Sequence, residues 1–205
     1  GVKADDLLDR LEEKALAEVN KRNPDLPLAS RQEIARQIAA AAVRYFMLKY
    51  ARNSLIIFDF DEALNFEGET GPYLQYSAVR LRSIFRKFQE RFGIDYQEFI
   101  RTVNLENINL DKLSPEESQD FWDLIVYASG LDEEVLRSIA ALEFGGLAKF
   151  TFNLCQKFNS YYHHYPVLAE KDEQLQTIRL LTIYFIHEIL CQALDLMGIK
   201  VPEKM

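Results

Sequence analysis

Residues 172–198 constrain the fold of this chain more than any other stretch. They contain Leu175, Ile178, Leu181, Ile183, Phe185, Ile186, Ile189, Leu190, Leu194 and Leu196, and at about 100° per residue these occupy more than one face of a helix. A helix apolar on several sides has to be surrounded by others, so it belongs at the centre of a bundle. The rest of the sequence provides the neighbours. Only eight glycines and six prolines interrupt 205 residues, and several of them sit at predicted helix ends, which argues for long helices over a many-turned β fold. A hydrophobic fraction of 48% supplies a substantial core for one large domain, or one domain with an appended piece. His187 reads as a satisfied, half-buried member of the last helix. Gly198 closes that helix, and residues 199–205 follow as a tail.

Taken from the other end, Gly1, Val2 and Lys3 read as a short extended piece. A helix follows, with Leu7, Leu8, Leu11, Ala15 and Val19 at helical spacing and Asp5 or Asp6 as its cap. Two prolines, Pro24 and Pro27, make residues 23–29 a loop. Ser30 with Glu33 is a capping-box pattern for an alanine-rich helix over 31–50, whose Ala35, Ala39 and Ala42 allow another element to come close. The period then changes. Leu55, Ile56, Ile57, Phe58 and Phe60 predict a short strand with Asp59 and Asp61 on its opposite side, an exposed acidic edge with no third ligand to make a metal site.

Gly68, Gly71 and Pro72 introduce the next helix, since proline's fixed φ suits a first turn and its missing N–H costs nothing there. Leu74, Ala78, Leu81, Phe85 and Phe88 form its core stripe, and Gly93 is placed to end it. The opposite face carries Tyr73, Tyr76, Arg80 and Lys87. Rings interleaved with cations suit a single-stranded nucleic-acid loop, where bases stack and phosphates need charge. A tyrosine pair on a helix also packs readily against a neighbouring helix, and the residues alone leave both readings open. Further helices are predicted over 95–103, from Ser114-Pro115 to Gly130 with Trp122 in the core, over 132–142, and over 147–162 on a stripe of Leu147, Phe150, Leu154, Phe158 and Tyr161. Residues 104–113 form a connector, and Gly145 with Gly146 breaks the chain between the last two of these helices. His163 and His164 diverge on a helix and lack a third ligand, so they belong to a loop that touches RNA or a neighbouring domain.

A net charge of −8 and an isoelectric point near 5.0 exclude nucleic-acid binding by bulk electrostatics. Any RNA contact must be local. Residues 80–92 carry a net +4 and residues 111–143 a net −7, so the acidic segment is expected to face away from phosphate. Cys155 and Cys191 each lie inside an apolar helical pattern and form neither a disulfide framework nor a metal site. No apolar run is read as a membrane span and no signal peptide is visible, which predicts a cytoplasmic protein.

Two motifs carry a resemblance. Thr70, Pro72, Tyr73, Leu74, Gln75 and Tyr76, followed by Arg80 and Ser83-Ile84, resemble the head of the anticodon-binding domain of arginyl-tRNA synthetases. Leu196, Met197, Gly198 and Ile199, with Pro202, Glu203, Lys204 and Met205, resemble that family's chain end. The two stand in the right order about 130 residues apart, and the resemblance covers nearly the whole chain. Glu69, Met197 and Lys204 depart from the usual asparagine, leucine and arginine, and Lys204 offers a point charge where a guanidinium would offer a planar fork.

The resemblance implies a mainly α fold: a class I synthetase anticodon-binding bundle over 67–205, after a small helical connecting region over 1–66 that holds the short strand. It implies that Tyr73, Tyr76 and Arg80 hold the anticodon loop of tRNA(Arg), with Lys87 on the same face and Met205 folding back toward it. The other implied partner is the catalytic domain of a parent arginine–tRNA ligase; membrane and DNA are not expected. ATP belongs to the parent, and no cofactor or catalytic residue is expected in this chain. Both family ATP-binding signatures are missing from its 205 residues, so the chain is expected to be a C-terminal fragment, cut at Gly1 and unable to activate arginine alone. The competing readings are the anticodon-binding bundle of another class I synthetase and a helical protein-interaction bundle whose Tyr73/Tyr76 face takes a partner helix.

Overall fold

The computed structural model describes residues 3–205, so Gly1 and Val2 of the expected extended piece lie outside it. Nine α-helices make up the described residues: α1 (Ala4–Arg22), α2 (Leu28–Leu48), α3 (Phe60–Ala63), α4 (Gly71–Phe92), α5 (Tyr96–Thr102), α6 (Pro115–Ser129), α7 (Leu131–Ala141), α8 (Gly145–His164) and α9 (Glu173–Leu196). Two 3-10 turns, Leu105–Asn107 and Leu110–Lys112, fill the predicted connector.

The mainly α fold agrees with the sequence reading, whereas the short strand does not form among the described residues. Leu55 and Ile57 are almost fully exposed, at 91% and 80%, and no neighbouring strand offers its backbone a partner. Asp59 instead caps α3, its side chain accepting from the backbone N–H groups of Asp61 (2.8 Å) and Glu62 (2.9 Å). The alternation of acids around Phe60 is therefore a helix start. Asp61 pairs with Lys14 of α1 at 2.7 Å.

α9 lies in the core as its sequence requires. Ile178, Leu180, Ile183, Ile186, Leu190 and Leu194 are buried against α4, α6 and α8. By length and composition alone α9 is apolar enough to cross a bilayer. Charged residues such as Arg179 and Glu188 interrupt it, and more than half of its most apolar stretch is buried, as in a core helix. Its N-terminal half is clamped by charge. Arg179 Nε and Nη2 donate to Glu117 Oε1 (2.6 Å) and Oε2 (2.9 Å), and Nη1 donates to Glu170 (2.7 Å), tying α9 to α6 and to the segment after α8.

α1 and α2 form a hairpin with its own apolar cluster of Ala15, Val19, Ile34, Ala35 and Ile38. α2 joins this hairpin to the bundle through its alanines. Gly71 opens α4 so close to α2 that a Cβ there would drive into the Ala41 carbonyl, so glycine is required by the approach. Tyr45 of α2, fully buried, donates its hydroxyl to the Ala148 carbonyl of α8 at 3.1 Å.

Several local expectations are corrected. α1 starts after Lys3 without a side-chain cap, and α2 starts at Leu28, leaving Ser30 inside its first turn. Trp122 is 48% exposed, because the buried face of α6 is set by Glu117, Phe121, Leu124 and Ala128. Gly145 and Gly146 lie in the first turn of α8; the break before it comes at Leu142, which ends α7 in the left-handed conformation at φ 52°. The cap of α6 by Ser114 and the left-handed Gly93 at the end of α4 form as predicted.

Candidate nucleic-acid interface

α4 is started by Thr70, whose Oγ1 accepts from Tyr73 N (3.2 Å), and Pro72 lies in its first turn. This fixes the helical phase, and with it the direction of every side chain on the face opposite the core stripe. Of the predicted residues, Tyr73 and Arg80 turn toward α8 and Tyr76 and Lys87 turn toward solvent.

Tyr73 is half-buried. Its ring lies 5.5 Å from that of Phe152, and its hydroxyl accepts from Asn159 Nδ2 at 3.1 Å. Burial raises its pKa, and the Asn159 contact offsets part of the rise. Arg80 donates from Nη1 to Asn159 Oδ1 at 2.7 Å, and its guanidinium sits over the Tyr162 ring, 5.2 Å from the centroid. Ser77, between them in sequence, accepts from Asn159 Nδ2 at 3.1 Å. Tyr76 is 40% exposed, and Lys87 is exposed and makes no ion pair among the described residues. The face is thus graded: one fixed aromatic–cation pair backed by α8, and one free ring beside it.

The chain end is strapped across α4. Gln75, fully buried, donates from Nε2 to the backbone carbonyls of Gln37 (3.1 Å) and Lys200 (2.6 Å), and Arg82 Nη1 reaches the Val201 carbonyl at 3.3 Å. Met205 packs against the α1–α2 cluster. The structure therefore brings Tyr73 and Arg80 onto one hub, leaves Tyr76 and Lys87 free, and seats Met205 on the hairpin while the tail leading to it crosses α4.

Residues 74–205 match the family described as DALR anticodon binding domain. The chain belongs to this anticodon-binding domain family. Arginine–tRNA ligases of Lactococcus lactis and Clostridium acetobutylicum are 36% and 34% identical to it over 204 and 201 residues, covering 100% and 98% of this chain. The solved structure of Thermus thermophilus arginyl-tRNA synthetase matches all of the chain with a TM-score of 0.82 and 31% identity, and the chain covers 32% of that one. The chain spans about a third of the length of the curated relatives it matches, 33% and 32% for the two named.

Within this anticodon-binding domain, Asn159, Ser77 and Tyr162 were not legible as site residues. Asn159 lies beside the apolar stripe of α8, and nothing in its spacing from residues 73–80 foretells contact across the bundle. The paired histidines occupy the exposed C-terminal end of α8, their rings 5.5 Å apart, and no group of three or more metal-binding side chains occurs among the described residues. Cys155 is fully buried, which pushes its thiol up to about 12, and Cys191 is half-buried, its thiol also raised by burial. Both are free.

Proposed function

We propose that this chain recognises the anticodon loop of tRNA(Arg) as the C-terminal part of an arginine–tRNA ligase. Residues 67–205 act as the anticodon-binding bundle, and residues 1–66 connect it to the catalytic domain of the same parent chain. Tyr76 stacks on a splayed base, Tyr73 and Arg80 hold the adjoining backbone, Lys87 adds charge on the same face, and the tail that crosses α4 and ends with Met205 on the α1–α2 hairpin borders the loop. Arginine activation with ATP belongs to the rest of the parent enzyme, which works in the cytoplasm; membrane and DNA play no part.

The observation that carries this reading is Tyr76: a 40%-exposed ring on α4, near the start of the matched region, next to a guanidinium that neighbouring side chains already hold in place. A ring left in water beside a fixed cation suits base stacking, worth roughly 1–3 kcal/mol per base. The chain's net charge of −8 requires such local contacts, because a diffuse field would repel RNA.

The test is fluorescence anisotropy of the 205-residue chain with an arginine anticodon stem-loop and with the same hairpin altered at its middle anticodon base. Tighter binding to the first, lost in Tyr76→Ala, is the expected outcome. Equal binding to both would reduce the chain to a shape- or charge-based RNA binder. No binding at about 0.1 M salt, where phosphate contacts still contribute, would favour a helical bundle that works through protein contacts.

A further inference from the structure

We infer that Asn159 is a positioning residue that sets the hydrogen-bond polarity of the Tyr73–Arg80 pair, so that both present donors to a phosphodiester group of the bound RNA loop. This rests on the RNA reading above and extends it to a residue on α8 that faces α4.

The polarity follows from the chemistry of the partners. A guanidinium has donors and no acceptor, so only the amide oxygen of Asn159 can face Arg80 Nη1, at 2.7 Å. The amide nitrogen then points the other way. Its two hydrogens are directed at Tyr73 Oη and Ser77 Oγ, each 3.1 Å distant. Ser77 Oγ uses its own hydrogen on the Tyr73 backbone carbonyl (3.1 Å). Tyr73 Oη accepts from Asn159, which leaves its phenolic hydrogen to be donated to a further partner. Arg80 commits one N–H to the hub and lies over the Tyr162 ring, 5.2 Å from its centroid, which fixes the plane of the remaining donors. One amide thus orients two outward donors, one neutral and one cationic, from residues about two helical turns apart on α4.

Such a pair suits an anionic oxygen ligand. Charge-assisted hydrogen bonds to phosphate are about twice as strong as neutral ones, and Arg80 arrives already ordered, so less side-chain freedom is lost on binding. Tyr76 is free to stack on a base next to that phosphate. The hub fixes the backbone and leaves base contacts to the rings.

The decisive substitution is Asn159→Asp. The two side chains have the same shape, but an ionised carboxylate only accepts. It would draw the Tyr73 hydrogen inward and offset the Arg80 charge with an ion pair in place, so the neutral outward donor would be lost and the cationic one weakened without a change in packing volume. Anisotropy with the arginine anticodon stem-loop, titrated from about 50 to 200 mM salt, reads the effect in two ways. Asn159→Asp should weaken binding about ten-fold at about 0.1 M salt, and should flatten the dependence of log K on log salt by about 0.7, the share of one single-strand phosphate contact. Tyr73→Phe removes only the neutral donor; it should weaken binding less and leave the slope unchanged. Melting curves of both variants within a few degrees of the parent establish that the bundle is intact.

An Asn159→Asp chain that keeps its affinity and slope within two-fold, while Tyr76→Ala loses binding, overturns the hub and leaves the RNA reading standing. Weaker binding with an unchanged slope overturns the phosphate assignment. If the parent chain binds no stem-loop, the RNA reading falls and this inference falls with it. If Asn159→Asp does not fold, Arg80→Gln carries the test through the same slope: a slope equal to that of the parent overturns the inference.

Discussion

The clamp between α6 and α9 makes the strongest prediction about what holds the bundle together. Arg179 meets both oxygens of Glu117, at 2.6 and 2.9 Å, and Glu170 at 2.7 Å; side-chain exposure is 9% for Arg179, 4% for Glu117 and 20% for Glu170. Removing one member of a buried pair costs about 3–5 kcal/mol, because the remaining charge stays away from water without compensation. The three members are not equivalent. Arg179→Ala leaves Glu117 facing Glu170 with no cation between them, and Glu117 is the most buried of the three, so this variant should lose about 5 kcal/mol. Glu117→Ala leaves Arg179 with Glu170 and should lose about 3 kcal/mol. Glu170→Ala leaves the two-pronged bond intact and its own site is nearer water, so about 1 kcal/mol is expected. For a chain of this size each kcal/mol moves the midpoint by roughly 2–4 °C, which places Arg179→Ala some 10–20 °C below the parent. The Glu117→Leu, Arg179→Met double variant should recover most of the loss, since apolar replacement of a whole buried pair is often neutral or stabilising. Urea unfolding followed by circular dichroism measures all four. Equal losses for Arg179→Ala and Glu170→Ala, or a double variant no better than Arg179→Ala, would refute the reasoning.

Further expectations follow from other parts of the molecule. Gly71→Ala pushes a Cβ into the Ala41 carbonyl and should cost about 1–3 kcal/mol by overpacking the α2–α4 contact; a urea midpoint within error of the parent's would show that the helices can part freely. Burial lowers the pKa of His187 from the ordinary value of 6.5, against an opposing pull from Glu188, so below about pH 6.5 the unfolded chain takes up protons that the folded one does not. Stability should therefore be flat above that point and decline as pH falls through the window beneath it, and His187→Gln should flatten the difference between urea midpoints at about pH 7.5 and 5.5. The pKa of Glu170 is lowered, first by the Asp172 N–H and, after the opposing effect of burial, by the Lys171 N–H and Arg179. Its contribution is present above the ordinary carboxylate value and lost as pH falls below about 4.5, so Glu170→Gln should lose least against the parent in acid melts. Tyr76→Phe should bind the anticodon stem-loop as the parent does, because the ring carries the stacking; a loss equal to that of Tyr76→Ala would assign the contact to the hydroxyl. Purified chain should show no arginine-dependent ATP–pyrophosphate exchange, and detectable exchange would contradict the reading of its sequence.

What the sequence made legible was whatever depends on period and caps. The stripe of α4, the central position of α9, the Ser114-Pro115 start and the Gly93 stop all follow from rules that act within about one or two turns of helix. The misread segments are those whose local signal serves two structures. Phe58, Asp59, Phe60 and Asp61 alternate like an exposed strand, yet the same aspartate spacing caps a helix, and only the lack of a neighbouring strand decides between them. Trp122 is the largest side chain of α6, but the phase of that helix is set by its buried face of Glu117, Phe121, Leu124 and Ala128, which turns the indole outward. Gly145 and Gly146 are helix breakers by propensity; here they form the first turn of α8, close against the Lys49 carbonyl and Glu134, respectively. Of the candidate site, the α4 residues were readable from their spacing along one helix face. The α8 residues that orient them were not, because contact between Asn159 and Arg80, 79 residues apart, is a property of the bundle.

On the proposed reading, a chain with a net charge of −8 has to hold RNA without a favourable long-range field. A lysine-rich surface would attract phosphate at long range, and its effect would fade over a Debye length of about 8 Å at physiological salt. On the proposed reading this chain works at contact distance instead. Arg80 is ordered by Asn159 and Tyr162 before any ligand arrives, Tyr76 is free to stack, and the tail that leads to Met205 is pinned to α4 by Gln75. Association should then be slow compared with electrostatically steered RNA binders and only weakly salt-dependent in its on-rate, and salt should act mainly on dissociation. Stopped-flow anisotropy at two salt concentrations separates the two. An on-rate that falls steeply with salt would mean that a field, and not the preformed contacts on α4, brings the loop in.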